Sequence, residues 1–98
     1  MTTVLSDGWI EFRFYRPRAT HVCVAGNFNG WRVGADAMEP AGDGWWRIAL
    51  PLSCGEYRFR YVADGHWYTD FAASGVELGR YGWNSMLLVP AARSRVAA

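Results

Sequence analysis

Residues 9 to 15 read Trp-Ile-Glu-Phe-Arg-Phe-Tyr, placing Ile10, Phe12 and Phe14 on one side of an extended chain and Glu11 and Arg13 on the other. A two-residue period of this kind marks a half-buried β-strand. The same period recurs over 45–52, where Trp46, Ile48, Leu50 and Leu52 alternate with Trp45, Arg47 and Ala49. It appears again over 56–63, where Tyr57, Phe59 and Tyr61 alternate with Arg58 and Arg60. Residues 21–25 and 85–89 read as shorter apolar strands, and another is expected around 66–68. No segment carries the 3.6-residue stripe of an amphipathic helix. Short strands separated by turn signals predict an all-β sandwich.

The turns fall between these runs. Pro17 ends the first strand, because proline removes a ladder donor. Residues 26–44 hold five glycines and read as one long connection. Ser53-Cys54-Gly55 turns the chain, and Asp64-Gly65 is a strong signal for a two-residue type I′ hairpin. Residues 70–84, mostly small or turn-forming, read as a loop. The whole chain, 1–98, is expected to form one domain, with 1–7 and 91–98 as loose tails.

Composition then narrows the chemistry. The net charge is only +1, which argues against partners held by phosphate neutralisation, so neither nucleic acid nor membrane is expected. All ten cationic residues are arginines, so lysine nucleophiles and Schiff bases are excluded. His21, His66, Cys23 and Cys54 lack metal-ligand spacing, and no metal or cofactor is expected. Asp64 belongs to a hairpin, while Asp70 and Glu77 flank a loop. A glycosidase needs two carboxylates across a cleft, and the chain does not read as an enzyme. Without a signal-peptide pattern at the start, the expected location is cytoplasmic and both cysteines are expected as free thiols. The six tryptophans, five tyrosines and five phenylalanines are the anomaly. A core this small has use for about half of them.

The segments FRFYRPRATHVCVAGNFNGW, GWWRIALPLSCGEYRFRYVADGHWYTD and NSMLLV together resemble a family-48 carbohydrate-binding module. This is the early-set, immunoglobulin-like β-sandwich of two antiparallel sheets found in the glycogen-binding region of AMP-activated protein kinase β subunits. It also stands beside the catalytic domains of branching and debranching enzymes, including the N-terminal region of isoamylase. The resemblance implies binding of α-glucan such as glycogen, starch or maltooligosaccharide, with tryptophans at the positions of Trp31 and Trp67. It places Arg60 where the family has a helpful lysine. The family's Leu-Gly-Thr-Val-Asn segment corresponds to residues 78–84, which keep Leu78 and Asn84, insert two residues and lack the threonine.

The chemistry of the residues agrees with that implication. A glucose ring has apolar C–H faces and a rim of hydroxyls, and an indole covers the face without desolvating the rim. Arginine and asparagine bridge neighbouring hydroxyls with planar donors. Each residue also has a structural reading. Trp31 could fold back as a lid on the core, Arg60 could be a solvated side chain, Leu78 could plug the core, and Asn84 could pin its loop. Trp46 is assigned to the core and Trp9 to packing at a strand edge. Trp83 is a further candidate in the altered loop. Trp45 could extend a sugar platform or join two chains. A lone module of this kind would recruit a glucan-active enzyme or kinase partner, or self-associate into a homo-oligomer for avidity. The alternative is an early-set protein-interaction or structural module that has lost sugar binding.

Overall fold

The computed structural model describes residues 1–6, 8–70, 75–79 and 82–90. Among the described residues, nine strands run in the order β1 (Thr2–Ser6), β2 (Trp9–Tyr15), β3 (Val22–Gly26), β4 (Glu39–Gly42), β5 (Trp45–Pro51), β6 (Gly55–Ala63), β7 (His66–Tyr68), β8 (Gly75–Gly79) and β9 (Gly82–Val89). They form two antiparallel sheets. The first has the order β1-β2-β5-β4; the second runs β3-β6-β9-β8, with β7 added to β6.

The alternating runs fix which face each strand buries. Phe12, opposite Ile48 across β2–β5, and Phe59 on β6 are both fully buried, and their rings meet edge-on at 5.1 Å. Phe14 stacks on Tyr61 at 4.5 Å, and Phe28 leans on Phe12 at 5.7 Å. Eight aromatic side chains pack in or against this inter-sheet core: Phe12, Phe14, Phe28, Trp46, Tyr57, Phe59, Tyr61 and Tyr68. The site candidates Trp31, Trp67, Trp83 and Trp45 are not among them. Trp46 is where the alternation places it, with its Nε1 donating to the Arg16 carbonyl at 3.0 Å.

Three expectations are corrected. Residues 2–6 are not a tail but strand β1, paired with β2 in a register that shifts between Val4 and Ser6. That irregularity sets Val4 and Leu5 out of alternation and hides the strand from a periodicity reading. The proposed tail at 91–98 lies outside the described residues. The connection 26–44 contains β4, an edge strand whose Pro40 is tolerated because an edge need not donate on both sides. The loop read over 70–84 contains β8, and β9 begins at Gly82 rather than Ser85. Gly79 pairs with Gly82, and residues 80–81 between them lie outside the described residues.

The acidic residues near that region serve the fold. Asp70 is buried, receives hydrogen bonds from the Tyr61 hydroxyl (2.9 Å) and the Met1 amino group, and its own N–H donates to the Ser85 hydroxyl at 2.6 Å. Burial pushes the Tyr61 phenol well above the ordinary tyrosine range. Glu77 accepts two hydrogen bonds from Arg58, each 3.0 Å.

Candidate functional site

The turn after β3 is built to aim one side chain. Gly26 is buried, and a Cβ there would lie 2.5 Å from the Arg58 carbonyl oxygen and 2.6 Å from the Phe28 ring. Only glycine lets β3 pass so close to β6. Phe28 then drops its ring into the core beside Phe12 and Tyr57. Asn27 exchanges hydrogen bonds with Arg58: its N–H donates to the Arg58 carbonyl (3.0 Å), and its Oδ1 accepts from the Arg58 N–H (3.1 Å). Asn29 accepts from the Gly26 N–H at 3.0 Å and donates through Nδ2 to the Val24 carbonyl (3.1 Å) and the Asp36 carboxylate (2.7 Å). With the turn tied at four points, Trp31 emerges at φ 60°, its N–H donating to the Gly26 carbonyl at 2.8 Å. Its indole lies half-buried on Cys23, Ala25 and Val62. This is the outward face of the second sheet, not the inter-sheet core.

The second tryptophan reaches the same face by another route. Asp64 and Gly65 both have positive φ, 49° and 84°, as a type I′ turn requires. The Asp64 carboxylate accepts the backbone N–H groups of Thr20 and His21 at 2.9 to 3.1 Å. Those two hydrogen bonds hold its carboxyl below the ordinary aspartate value. The hairpin sets Trp67 opposite Val62. Directly opposed residues of an antiparallel pair share a face, so Trp67 stands beside the patch that carries Trp31, with 44% of its surface exposed.

Arg60 lies two residues from Val62 on β6 and therefore shares that face. Its Nε donates to the Trp83 carbonyl at 3.0 Å, and the Thr69 hydroxyl donates to the same oxygen at 2.6 Å. Met86 opposes Arg58, so Asn84, two residues earlier on β9, also faces outward. Four of the expected residues, Trp31, Trp67, Arg60 and Asn84, are thus gathered on one face from four separate segments. The Asn84 side chain makes no hydrogen bond among the described residues, so it does not pin its loop in that way.

The remaining candidates are not brought to this face. Leu78 and Trp83 oppose each other across β8–β9 and share the parity of Ser85, which is buried between the sheets. They are exposed near the hairpin end, on the other side of the sheet from Asn84. The face of Leu78 depends on β8 being a strand, and the loop reading had no parity to assign. Trp45 belongs to the first sheet, opposite Tyr15, with its ring 5.3 Å from Tyr15 and the Arg13 guanidinium 5.1 Å from its centroid. It faces away from Trp31 and Trp67 and does not extend their platform. Sequence reasoning missed Gly79, which lies against the Asn84 side chain, and Thr69, which shares the Trp83 carbonyl with Arg60. It noted Arg58 beside Arg60 but not its ion pairs with Glu77 and Glu56, both 3.0 Å.

Comparison with known proteins gives this arrangement a lineage. The family model described as carbohydrate-binding module 48 (isoamylase N-terminal domain) matches residues 2–83. The chain is 36% identical over 59 residues to a 1,4-alpha-glucan branching enzyme GlgB 2 from Xanthomonas euvesicatoria pv. vesicatoria (strain 85-10), a match covering 57% of this chain and 8% of that protein. It is 31% identical over 71 residues to Protein PTST homolog 2, chloroplastic, of Arabidopsis thaliana, covering 72% of this chain and 13% of that protein. A 1,4-alpha-glucan branching enzyme GlgB of Salinibacter ruber (strain DSM 13855 / M31) is 36% identical over 61 residues, covering 58% of this chain and 10% of that protein. The chain therefore spans only a small part of the length of each of these relatives. The match runs from β1 through the start of β9, and with the two-sheet sandwich it establishes that the chain belongs to the carbohydrate-binding module 48 family.

Proposed function

We propose that the outer face of the second sheet binds α-glucan without catalysing a reaction. Glucose rings stack on Trp31 and Trp67, while Arg60 and Asn84 hydrogen-bond the hydroxyl rim. The observation that carries this reading is the convergence of two partly exposed indoles and two polar planar side chains on one face, delivered by β6, β9 and two tied turns. The names of the branching-enzyme relatives, which act on 1,4-α-glucan, support the choice of glucan among carbohydrates. Among the described residues no carboxylate pair accompanies the indoles. Glu77 and Glu56 are both ion-paired to Arg58, and Asp64 is bonded to backbone amides.

The test is titration calorimetry with maltoheptaose on the wild-type chain and on Trp67→Ala. Saturable binding that collapses in the variant supports the proposal. Wild-type protein that takes up no maltoheptaose even at millimolar sugar overturns it.

A further inference from the structure

The polar half of the glucan face is held in place by residues that do not belong to it. Asn84, which makes no hydrogen bond among the described residues, lies across Gly79. A Cβ built on Gly79 would stand 2.6 Å from Asn84 Nδ2 and 3.6 Å from Asn84 Cγ. The vacancy left by the missing side chain is the seat of the Asn84 amide. Gly79 is not in the left-handed region, so its backbone does not explain the glycine, whereas its neighbour does. Arg60 is held differently. Its Nε is fixed on the Trp83 carbonyl, which also receives the Thr69 hydroxyl. The two terminal amino groups of Arg60 are left without partners among the described residues, and one of them passes over Gly82, where a Cβ would be 3.4 Å away. A guanidinium fixed at Nε loses less freedom when its outer edge engages hydroxyls.

We infer that Gly79 and Thr69 are positioning residues for glucan, a reading that rests on the function proposed above. Gly79 acts through Asn84 by leaving room for its amide. Thr69 acts through the Trp83 carbonyl by fixing the oxygen that holds Arg60. Neither touches sugar itself.

Double-mutant cycles test this with maltoheptaose titrations. Gly79→Ala displaces a flexible amide rather than backbone, so the melting temperature should hold while affinity falls roughly two- to tenfold, the worth of one hydrogen bond. In an Asn84→Ala background the same substitution should have no further effect. Thr69→Val should weaken binding by a similar factor, Thr69→Ser should restore it, and neither should matter once Arg60 is alanine. Full affinity in Gly79→Ala and Thr69→Val, or equal losses in the Asn84→Ala and Arg60→Ala backgrounds, overturns the inference. The sugar-free protein gives a separate readout. The Asn84 side-chain amide resonances should shift in Gly79→Ala and the Arg60 Nε–H resonance in Thr69→Val. Unmoved resonances refute the positioning roles whether or not the wild type binds glucan. Shifts in both variants, with a wild type that binds no maltoheptaose, refute the glucan reading alone.

Discussion

Trp67 stands directly opposite Val62 across β6–β7, and Val62 is one of the three residues on which Trp31 packs. One small apolar side chain thus links the two indoles. The platform is an outgrowth of the sheet face, so the indoles can be removed without opening the core between the sheets.

That separation gives the first prediction. Trp67→Ala and Trp31→Ala should each weaken maltoheptaose binding by at least roughly 30-fold, the scale of a central hot spot of about 2 kcal/mol. Thermal melts should show little change for the exposed Trp67. Trp46→Ala should do the reverse, costing about 2–4 kcal/mol of stability through lost apolar packing and the lost Nε1 hydrogen bond. Trp45→Ala, on the opposite sheet, should leave glucan affinity unchanged within about twofold.

The tight passage at Gly26 gives the second. In Gly26→Ala the new methyl meets the Arg58 carbonyl oxygen, the Phe28 ring and, at 3.0 Å, the Phe59 Cβ. One of these is backbone and cannot swing aside. Urea denaturation should show a loss of about 1–3 kcal/mol or more. Because the same turn aims Trp31, any protein that remains folded should also bind glucan less tightly.

The third concerns acid. The Asp64 carboxyl is held below the ordinary aspartate value of 3.8 by the Thr20 and His21 amides, with smaller contributions from the two nearby histidines. Its folded pKa is depressed, so its contribution to stability is present above 3.8 and is lost as pH falls through the lower folded value. Asp64→Asn should therefore lose stability relative to wild type at neutral pH, and the gap should close in acid. Denaturant midpoints measured at neutral pH and below 3.8 check the sign. A gap that widens in acid would contradict it.

Thiol chemistry supplies the fourth. Cys54 is exposed and Cys23 is buried, and they are not bridged. A maleimide should label Cys54 at once in the native protein and Cys23 only on unfolding. Cys23 lies in the cluster beneath Trp31, so Trp31→Ala should accelerate its native-state labelling. Intact mass after unfolding without reductant should show two adducts.

The strands β2, β5 and β6 were legible because apolar and polar residues alternate along most of each, so their two-residue period is written in residue type; only the end of β6 departs from it, where Val62 is buried on the outward face. β1 was hidden by its irregular register, β4 by its proline and glycine on an edge, and β8 by glycines at both ends that read as turns. Trp31 and Trp67 were singled out chiefly by the family resemblance, and the turn-forming residues before each of them agree with it. The face of Leu78 could not be found, since a residue assigned to a loop has no parity. Gly79 and Thr69 were invisible for a different reason. Their importance lies in what they leave empty or hold through a carbonyl, and neither effect has a signature in one sequence.

The backbone at Trp31, with φ near 60°, lies in the region natural to glycine, and a side chain there costs on the order of 1 kcal/mol. Trp31→Gly should accordingly fold more stably than Trp31→Ala by about that amount, although both lose the indole. Two opposed effects therefore meet at position 31: the backbone favours glycine, while the indole covers Cys23, Ala25 and Val62 on the outer face of the sheet. The order of stability among tryptophan, alanine and glycine at this position measures how far that cover offsets the strain held in the turn.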